Sequence, residues 1–320
     1  IMNVVDNVDT DLIQIDFLYT WTERGPFDDR LEEKGCKLFR IDSYGKNVFR
    51  TISHSKQLYS LLKNNEDINT VHIHGNTAIG CLDACIAKIS GVERVVVHSH
   101  NSGIGSLRSK LLHKFFKRLI DPFIDDRFAC SEQAWDWMFI KHRKNSGVNK
   151  IIQNGIDSKK YVFNQSIAKL QKEKWGLKNN LAVGFVGRLT EQKNPLFLIE
   201  VFNSLLKLED QAKLFIVGEG DYEKEMQNKI NELNISEKII FAGSQPNVNE
   251  LMQAMDVFVL PSIWEGLGIV LVEAQASGVP SVVSDIVAKE VVITDLITKL
   301  SLKEGADLWA KTILEVSKYK

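Results

Sequence analysis

LPSIWEGLGIVLVEAQASG, residues 260–278, is the stretch that says most about the fold. Its apolar start predicts a strand that ends at Pro261, and a glycine-containing loop follows. The apolar residues after Gly268 predict a helix, and Gly278 is the residue type favoured just beyond a helix C-terminus. The stretch is therefore a strand–loop–helix unit that carries one acidic side chain in its loop and one on its helix.

The rest of the chain repeats this alternation of apolar strand-like runs and amphipathic helix-like stretches. Such alternation predicts parallel sheets with helices on both faces. Strands are predicted over residues 12–18, 37–41, 70–74, 94–98, 127–130, 150–153, 182–186, 213–217, 238–242, 257–260 and 281–284. A polar, lysine-rich stretch up to residue 180 separates two arrays. We therefore predict an α/β protein of two doubly wound, Rossmann-like domains, residues 1–160 and 175–320, that face a cleft.

Composition excludes several classes of protein. The chain has 320 residues, of which 44% are hydrophobic and 25% charged, as in ordinary globular proteins. No run approaches the ~18 uncharged apolar residues of a membrane-spanning helix, and four scattered cysteines predict no disulfide framework, so we expect a cytoplasmic protein. The 40 basic and 41 acidic residues imply no broad basic surface, so nucleic acid is not an expected partner. A dehydrogenase or P-loop enzyme is disfavoured, because no G-x-G-x-x-G follows a strand and the Walker pattern is missing.

The two acidic residues of the opening stretch, Glu265 and Glu273, are eight positions apart. Eight helical residues would span roughly 12 Å, close to the distance between the sugar and the ribose of an extended sugar nucleotide. One carboxylate can bond hydroxyls of the sugar and the other the ribose diol. The free N–H groups at the helix start suit a diphosphate or a sugar oxygen.

This stretch resembles the E-x7-E signature of retaining glycosyltransferases of family 4, which have the two-domain GT-B fold. Residues 184–194, 215–220, 241–243 and 154–157 resemble further family elements in order and spacing. Residues 284–295 resemble the capsule and exopolysaccharide branch. The family also has an opening strand and closing helices that this chain lacks, so we expect a chain truncated at both ends.

The resemblance implies roles for individual residues. Arg188 and Lys193 match the positions that bind the donor diphosphate, where fixed cations stabilise a leaving diphosphate without a metal. Glu265 and His100 match catalytic positions, with His98 as the alternative histidine. The remaining donor-binding positions implied are Gly187, Val248, Gly266, Leu267, Gly268, Ile269 and Glu273.

Two pairs of histidines lie at the ends of two predicted strands, His72 with His74 and His98 with His100. Four histidines could suggest zinc, but no tetrahedral ligand spacing is visible in the sequence. We interpret them as polar residues that line a cleft, and we expect no metal and no cofactor other than the co-substrate.

Residues 106–119 form a basic, amphipathic helix candidate in which Leu107, Leu111 and Phe115 recur every four residues. Such a helix can lie on an anionic membrane surface or pack on the core with a solvated basic face. The basic side chains concerned are Arg108, Lys110, Lys114, Lys117 and Arg118.

The resemblance implies a retaining, metal-independent glycosyltransferase. It would move a sugar from a nucleotide-diphosphate sugar to a hydroxyl of a glycan or a polyprenyl-linked saccharide in bacterial surface polysaccharide synthesis. A UDP-sugar is favoured over a GDP-sugar, and both stay open as donors. Its location would be the cytoplasm, with peripheral contact to the inner membrane face. The alternatives are a sugar-nucleotide epimerase of the same fold and a non-catalytic protein that binds nucleotide sugars.

Overall fold

The computed structural model describes residues 2–20, 23–41, 48–140 and 147–319. Two compact units divide the chain. The first comprises residues 1–99, 111–129 and 138–151, and the second comprises residues 100–110, 130–137 and 152–320. The second unit therefore takes in two short segments from the earlier part of the chain.

The first unit is built on parallel strands. β1 (Phe17–Tyr19) pairs with β2 (Leu38–Arg40) in a two-stranded sheet of their own. A four-stranded sheet follows the chain order of β3 (Thr70–Gly75), β4 (Arg94–Ser99), β5 (Asp126–Ala129) and β6 (Asn149–Ile151). Its helices are α1 (Met2–Val5), α2 (Asp28–Glu33), α3 (Val48–Asn64), α4 (Asp83–Ile89) and the larger part of α5 (Leu107–Ile120). The next helix, α6 (Glu132–Met138), falls almost entirely in the second unit.

The second unit has a six-stranded parallel sheet with a doubly wound strand order. Its strands are β7 (Leu181–Val186), β8 (Ala212–Val217), β9 (Ile239–Phe241), β10 (Val257–Leu260), β11 (Ser281–Ser284) and β12 (Ile297–Leu300), in the order β12-β11-β10-β7-β8-β9. The chain runs outward from β7 to β9, then returns to place β10 on the other side of β7. The point between β7 and β10 is thus a topological switch point, and α/β sheets bind ligands at the carboxyl ends of the strands there.

Helices cover this sheet and complete its core. They are α7 (Gln165–Lys174), α8 (Pro195–Leu206), α9 (Glu223–Glu232), α10 (Val248–Gln253), α11 (Ile269–Ala276) and α12 (Gly305–Val316). The side chains of β10 are all buried, as expected for a parallel strand covered on both faces. Trp309 of α12 is fully buried, and its ring meets Phe197 of α8 edge-on at 5.6 Å.

Three elements of the second unit lie where no element was predicted. α7 occupies the lysine-rich stretch that was read as a join, and its start is fixed by the Asn164 side chain, which accepts bonds from the N–H groups of Ser166 and Ile167. β12 and α12 follow the last predicted strand. In the first unit, a strand was predicted over residues 12–18, and the observed strand is Phe17–Tyr19, so the two overlap only at Phe17 and Leu18.

None of the helices in the described ranges combines the length and the apolar character needed to cross a bilayer.

Candidate active site

The candidate site begins where β7 and β8 end. The Gly187 N–H donates a hydrogen bond to the Val217 carbonyl at 3.0 Å, which joins the loops that leave these two strands. A Cβ atom at Gly218 would lie 2.1 Å from the Gly187 carbonyl oxygen, so only glycine permits this approach. The sequence Gly218-Glu219-Gly220 therefore serves loop packing. Arg188 follows at the carboxyl end of β7 with an exposed side chain.

A buried ion pair joins the loop after β7 to the loop after β10. Lys193 Nζ lies 2.5 Å from Glu265 Oε1, and the Glu265 residue is only 4% exposed. The Ser262 hydroxyl donates to the same carboxylate oxygen at 2.7 Å, and the Gln192 amide donates to the other oxygen at 3.4 Å. The Ile263 N–H donates to the Gln192 carbonyl at 2.8 Å, so the two loops are also tied through their backbones. The Glu265 carboxylate is thereby held in one position.

Two segments from earlier in the chain, both belonging to the second unit, hold the backbone of the Glu265 loop. A Cβ atom at Gly266 would lie 1.9 Å from the His100 carbonyl oxygen, so this approach also requires glycine. The Ser102 hydroxyl donates to the Glu265 carbonyl, and the Ser131 hydroxyl donates to the Gly266 carbonyl at 2.7 Å. The predicted catalytic positions Glu265 and His100 are therefore brought to the same loop.

Glu273 lies half-buried on α11, one element beyond Glu265. Burial raises the pKa of its carboxyl above the ordinary value, and a hydrogen bond from the Tyr161 hydroxyl partly offsets this rise. Burial and the Glu273 charge raise the pKa of the Tyr161 phenol, so Tyr161 stays protonated and donates. Glu273 thus has a protein partner at the position that the sequence assigns to the ribose.

The remaining predicted donor-binding residues lie at the ends of strands and the starts of helices. Leu267 is buried, Ile269 is 37% exposed at the start of α11, and Gly268 is the N-cap residue of that helix. Val248 is the half-buried first residue of α10. Most of the predicted donor-binding residues therefore lie at the carboxyl edge of the sheet, and their predicted roles stay predictions.

The four histidines predicted at strand ends form a cluster of three and a single residue. His72, His74 and His98 come together on β3 and β4, each offering a ring nitrogen within 4.8 Å of the others. Desolvation lowers the pKa of the His72 imidazole. His100 lies beyond the end of β4, in the segment that meets Gly266.

Several residues of this site were not predicted from the sequence. They donate hydrogen bonds to the two glutamates or to the loop of Glu265, and they are Ser262, Gln192, Ser102, Ser131 and Tyr161. A single serine, glutamine or tyrosine has no characteristic spacing, so no sequence signal could have identified these contacts.

A doubly wound parallel sheet with two glutamates and two cations after its central strands defines the class of the molecule as an α/β protein. Two family models match the chain. "Glycosyl transferases group 1" matches residues 168–320, and "Glycosyl transferase 4-like" matches residues 15–124. The glycosyltransferase EpsF of Bacillus subtilis is 31% identical over 318 residues, covering 98% of this chain and 82% of that protein. The chain belongs to the group 1 glycosyltransferases, and the resemblance seen in the sequence is confirmed.

Two other comparisons concern a second relative and a solved structure. The Escherichia coli UDP-Gal:alpha-D-GlcNAc-diphosphoundecaprenol alpha-1,3-galactosyltransferase is 30% identical over 240 residues, covering 70% of this chain and 60% of that protein. The crystal structure of Anabaena HepE in complex with UDP and glucose has a TM-score of 0.74 at 20% identity, covering 92% of this chain and 80% of HepE. This likeness confirms the predicted GT-B fold class.

The Lys193–Glu265 pair generates a prediction about stability. We expect Lys193→Met to lower the free energy of unfolding by about 3–5 kcal/mol, because it leaves a buried carboxylate without its counter-charge. The double change Lys193→Met with Glu265→Gln should recover part of this loss, since no buried charge then remains unpaired. Urea unfolding followed by tryptophan fluorescence measures both.

Lys229→Met is the matched control, because Lys229 pairs with Glu200 at a more exposed position of the same unit. Exposed pairs contribute less than ~1 kcal/mol. Equal losses for Lys193→Met and Lys229→Met would show that the Lys193–Glu265 pair is not a buried structural interaction.

Proposed function

We propose that this glycosyltransferase moves a sugar, with retention of the anomeric configuration and without a metal ion at the donor, from a UDP-sugar to a hydroxyl of a glycan. The observation that carries the proposal is the meeting of Lys193 and Glu265 at the switch point between β7 and β10. A cation suited to a diphosphate and a carboxylate suited to sugar hydroxyls are thereby adjacent, in the place where doubly wound sheets bind ligands.

The diphosphate of the donor is assigned to Arg188, Lys193 and the start of α11. Arg188 is exposed at the end of β7 and can reach a ligand by rotating its side chain. The first N–H groups of α11 have no partner within the helix and favour an anion. Fixed cations that neutralise the leaving diphosphate replace the metal ion that other transferases use. Two comparisons support UDP as the nucleotide that carries the sugar. HepE was crystallised with UDP, and the E. coli relative is named for UDP-Gal.

Glu265 and His100 are assigned to the transferred sugar. The Glu265 carboxylate is held by Lys193 and Ser262, and a pre-positioned carboxylate can bond sugar hydroxyls and stabilise positive charge that develops on the sugar. The segment of His100 meets the loop of Glu265 through its backbone, which supports a role for its imidazole at the same sugar.

Glu273 is assigned to the ribose diol. Its carboxylate already accepts a hydrogen bond from Tyr161, so a ribose would add to or replace this bond. The remaining assigned residues would contact the nucleotide mainly through their backbone or apolar side chains. They are Gly187, Val248, Gly266, Leu267, Gly268 and Ile269.

The acceptor is proposed to be a lipid-linked saccharide in bacterial surface polysaccharide synthesis. The E. coli relative is named for a diphosphoundecaprenol acceptor, a molecule that stays in the membrane. A protein that uses such an acceptor from the cytoplasmic side needs a surface that contacts the membrane, and α5 has the required character.

Helix α5 presents both apolar and basic side chains to solvent. Leu107, Leu111 and Phe115, the apolar residues of the predicted pattern, are 73%, 63% and 63% exposed, so they do not pack on the core. His113 and Ile120 form the buried side of the helix instead. The five basic residues Arg108, Lys110, Lys114, Lys117 and Arg118 share the helix with no acidic residue. An anionic lipid surface complements both the charge and the apolar stripe.

The reaction is tested by incubating the protein with UDP-sugars and a polyprenyl-diphosphate saccharide in the presence of EDTA. We expect release of UDP and a product whose new glycosidic bond keeps the anomeric configuration of the donor, read by proton NMR. Glu265→Gln should lower turnover while UDP binding persists, because the lost charge faces the sugar. An isomerised donor without transfer would indicate the epimerase, and binding without either reaction would indicate the non-catalytic protein.

Arg188→Ala tests the diphosphate assignment. We expect UDP binding, measured by calorimetry, to weaken by about 1.5–3 kcal/mol, the range of a hydrogen bond to a charged group, while uridine binding stays unchanged. Lys207→Ala is the control, because Lys207 is exposed at the opposite end of α8. An equal loss for UDP and uridine would mean that Arg188 supports the fold and does not contact phosphate.

The membrane assignment is tested by charge reversal on α5. We expect the triple change Lys114→Glu, Lys117→Glu and Arg118→Glu to abolish sedimentation of the protein with vesicles of anionic lipid. Each basic residue near such a surface contributes about 1 kcal/mol to the binding free energy. The same change at Lys169, Lys224 and Lys311, which are exposed on other helices, should have a much smaller effect. Binding that survives the α5 change, or that resists high salt, would contradict the assignment.

A further inference from the structure

Three histidines of the first unit lie on one face of its four-stranded sheet. His72 and His74 are two positions apart on β3, so their side chains point to the same side of the sheet. His98 on β4 lies directly across from His74 in the strand register. The backbone geometry of two neighbouring parallel strands therefore brings the three imidazoles together, although His98 is 24 residues or more from the others in sequence.

The rings are close enough to act together. The ring centroids are 4.3 Å apart for His72 and His74, 5.7 Å for His72 and His98, and 5.5 Å for His74 and His98. One nitrogen atom of each ring lies within 4.8 Å of a nitrogen atom of the other two. In a tetrahedral zinc site with bonds of about 2.1 Å, ligand nitrogens lie about 3.4 Å apart. Nitrogen atoms within 4.8 Å of one another are thus near the spacing that such an ion requires.

The three imidazoles differ in burial, and the most buried one is packed against an aromatic ring. His98 is only 6% exposed, and the Phe128 ring of β5 meets both His98 and His72 edge-on, at 5.9 and 6.0 Å. His72 and His74 are exposed at the surface of the sheet. The group therefore combines one buried imidazole with two that solvent can reach.

We propose that His72, His74 and His98 form a three-histidine site for a divalent late transition metal ion, with Zn²⁺ as the ion of choice. Imidazole nitrogen suits Zn²⁺, Ni²⁺ and Cu²⁺ and does not suit Mg²⁺ or Ca²⁺, which require oxygen ligands. The ion would join β3 to β4 and would stabilise the first unit, since an ion that binds the folded state alone adds its binding free energy to folding. The site shares no residue with the set that is proposed to bind the donor, in which His100 and not His98 is assigned to the sugar.

The other described histidines show by contrast what makes this group a candidate. His54 is buried and lies 2.9 Å from the Asp83 carboxylate, and His113 Nδ1 accepts a hydrogen bond from the Ala78 N–H at 3.0 Å. Each of these imidazoles is buried and bonded to a protein group in the interior. Only His72, His74 and His98 meet as three potential ligands among the residues that the structure describes.

The test uses the untagged chain, freed of metal with EDTA and titrated with ZnCl₂ by calorimetry. We expect saturable binding of one ion per chain, and a rise in melting temperature that accompanies it. His72→Gln and His74→Gln should each weaken Zn²⁺ binding at least tenfold and remove the rise in melting temperature. Thr70→Gln is the matched control, because Thr70 is exposed on the same face of the same strand and receives the same new side chain.

Two further measurements make the outcome decisive. Co²⁺ in place of Zn²⁺ should give the intense visible absorption of a four-coordinate ion in the wild type and lose it in His74→Gln. UDP binding should be the same in wild type, His72→Gln and His74→Gln, which separates this site from the donor site. Binding of several ions that the histidine variants leave unchanged, or no saturable binding at all, would overturn the proposal.

Discussion

The ion pair between Lys193 and Glu265 is the interaction on which the candidate site depends. Removing two charges from water costs several kcal/mol per ion, and such a pair persists only where further hydrogen bonds satisfy its atoms. Here the Ser262 hydroxyl and the Gln192 amide supply them. Because Lys193 precedes α8 and Glu265 precedes α11, the pair also joins the two chain segments that leave the central strands of the larger sheet.

The strand order explains why those two segments meet at all. β7 lies between β8 and β10, so the loops after β7 and β10 emerge side by side and their helices diverge. Close backbone packing then sets the loop positions. Gly218 admits the Gly187 carbonyl and Gly266 admits that of His100, while Ser131 bonds to the Gly266 carbonyl. The loop that carries Glu265 is therefore held by contacts that involve no ligand, and electrostatic stabilisation of a reaction requires groups that are already in place.

The sequence predicted most of the second unit, because buried parallel strands and glycine-marked loops have strong local signals. The strand ending at Pro261 and the helix from Ile269 lie as predicted. α7 was missed because polar residues outnumber apolar ones in it, and its amphipathic face becomes evident only where Ala168 and Gln171 are buried. The contact of Tyr161 with Glu273 and the grouping of His98 with His72 arise from packing and strand register. Both join residues that are far apart in sequence, so no local pattern could reveal them.

The two roles that fall to Lys193 are compatible on stereochemical grounds. Its ammonium group has three N–H donors, and Glu265 Oε1 is the only carboxylate oxygen recorded within ion-pair distance among the described residues. Two donors are left for a diphosphate, so the donor need not break the ion pair to bind. Arg188, exposed at the end of β7, can supply the second cation. In the proposed complex, Lys193 would bind both the diphosphate and the Glu265 carboxylate. It would thereby fix the position of the leaving group relative to the carboxylate that contacts the sugar.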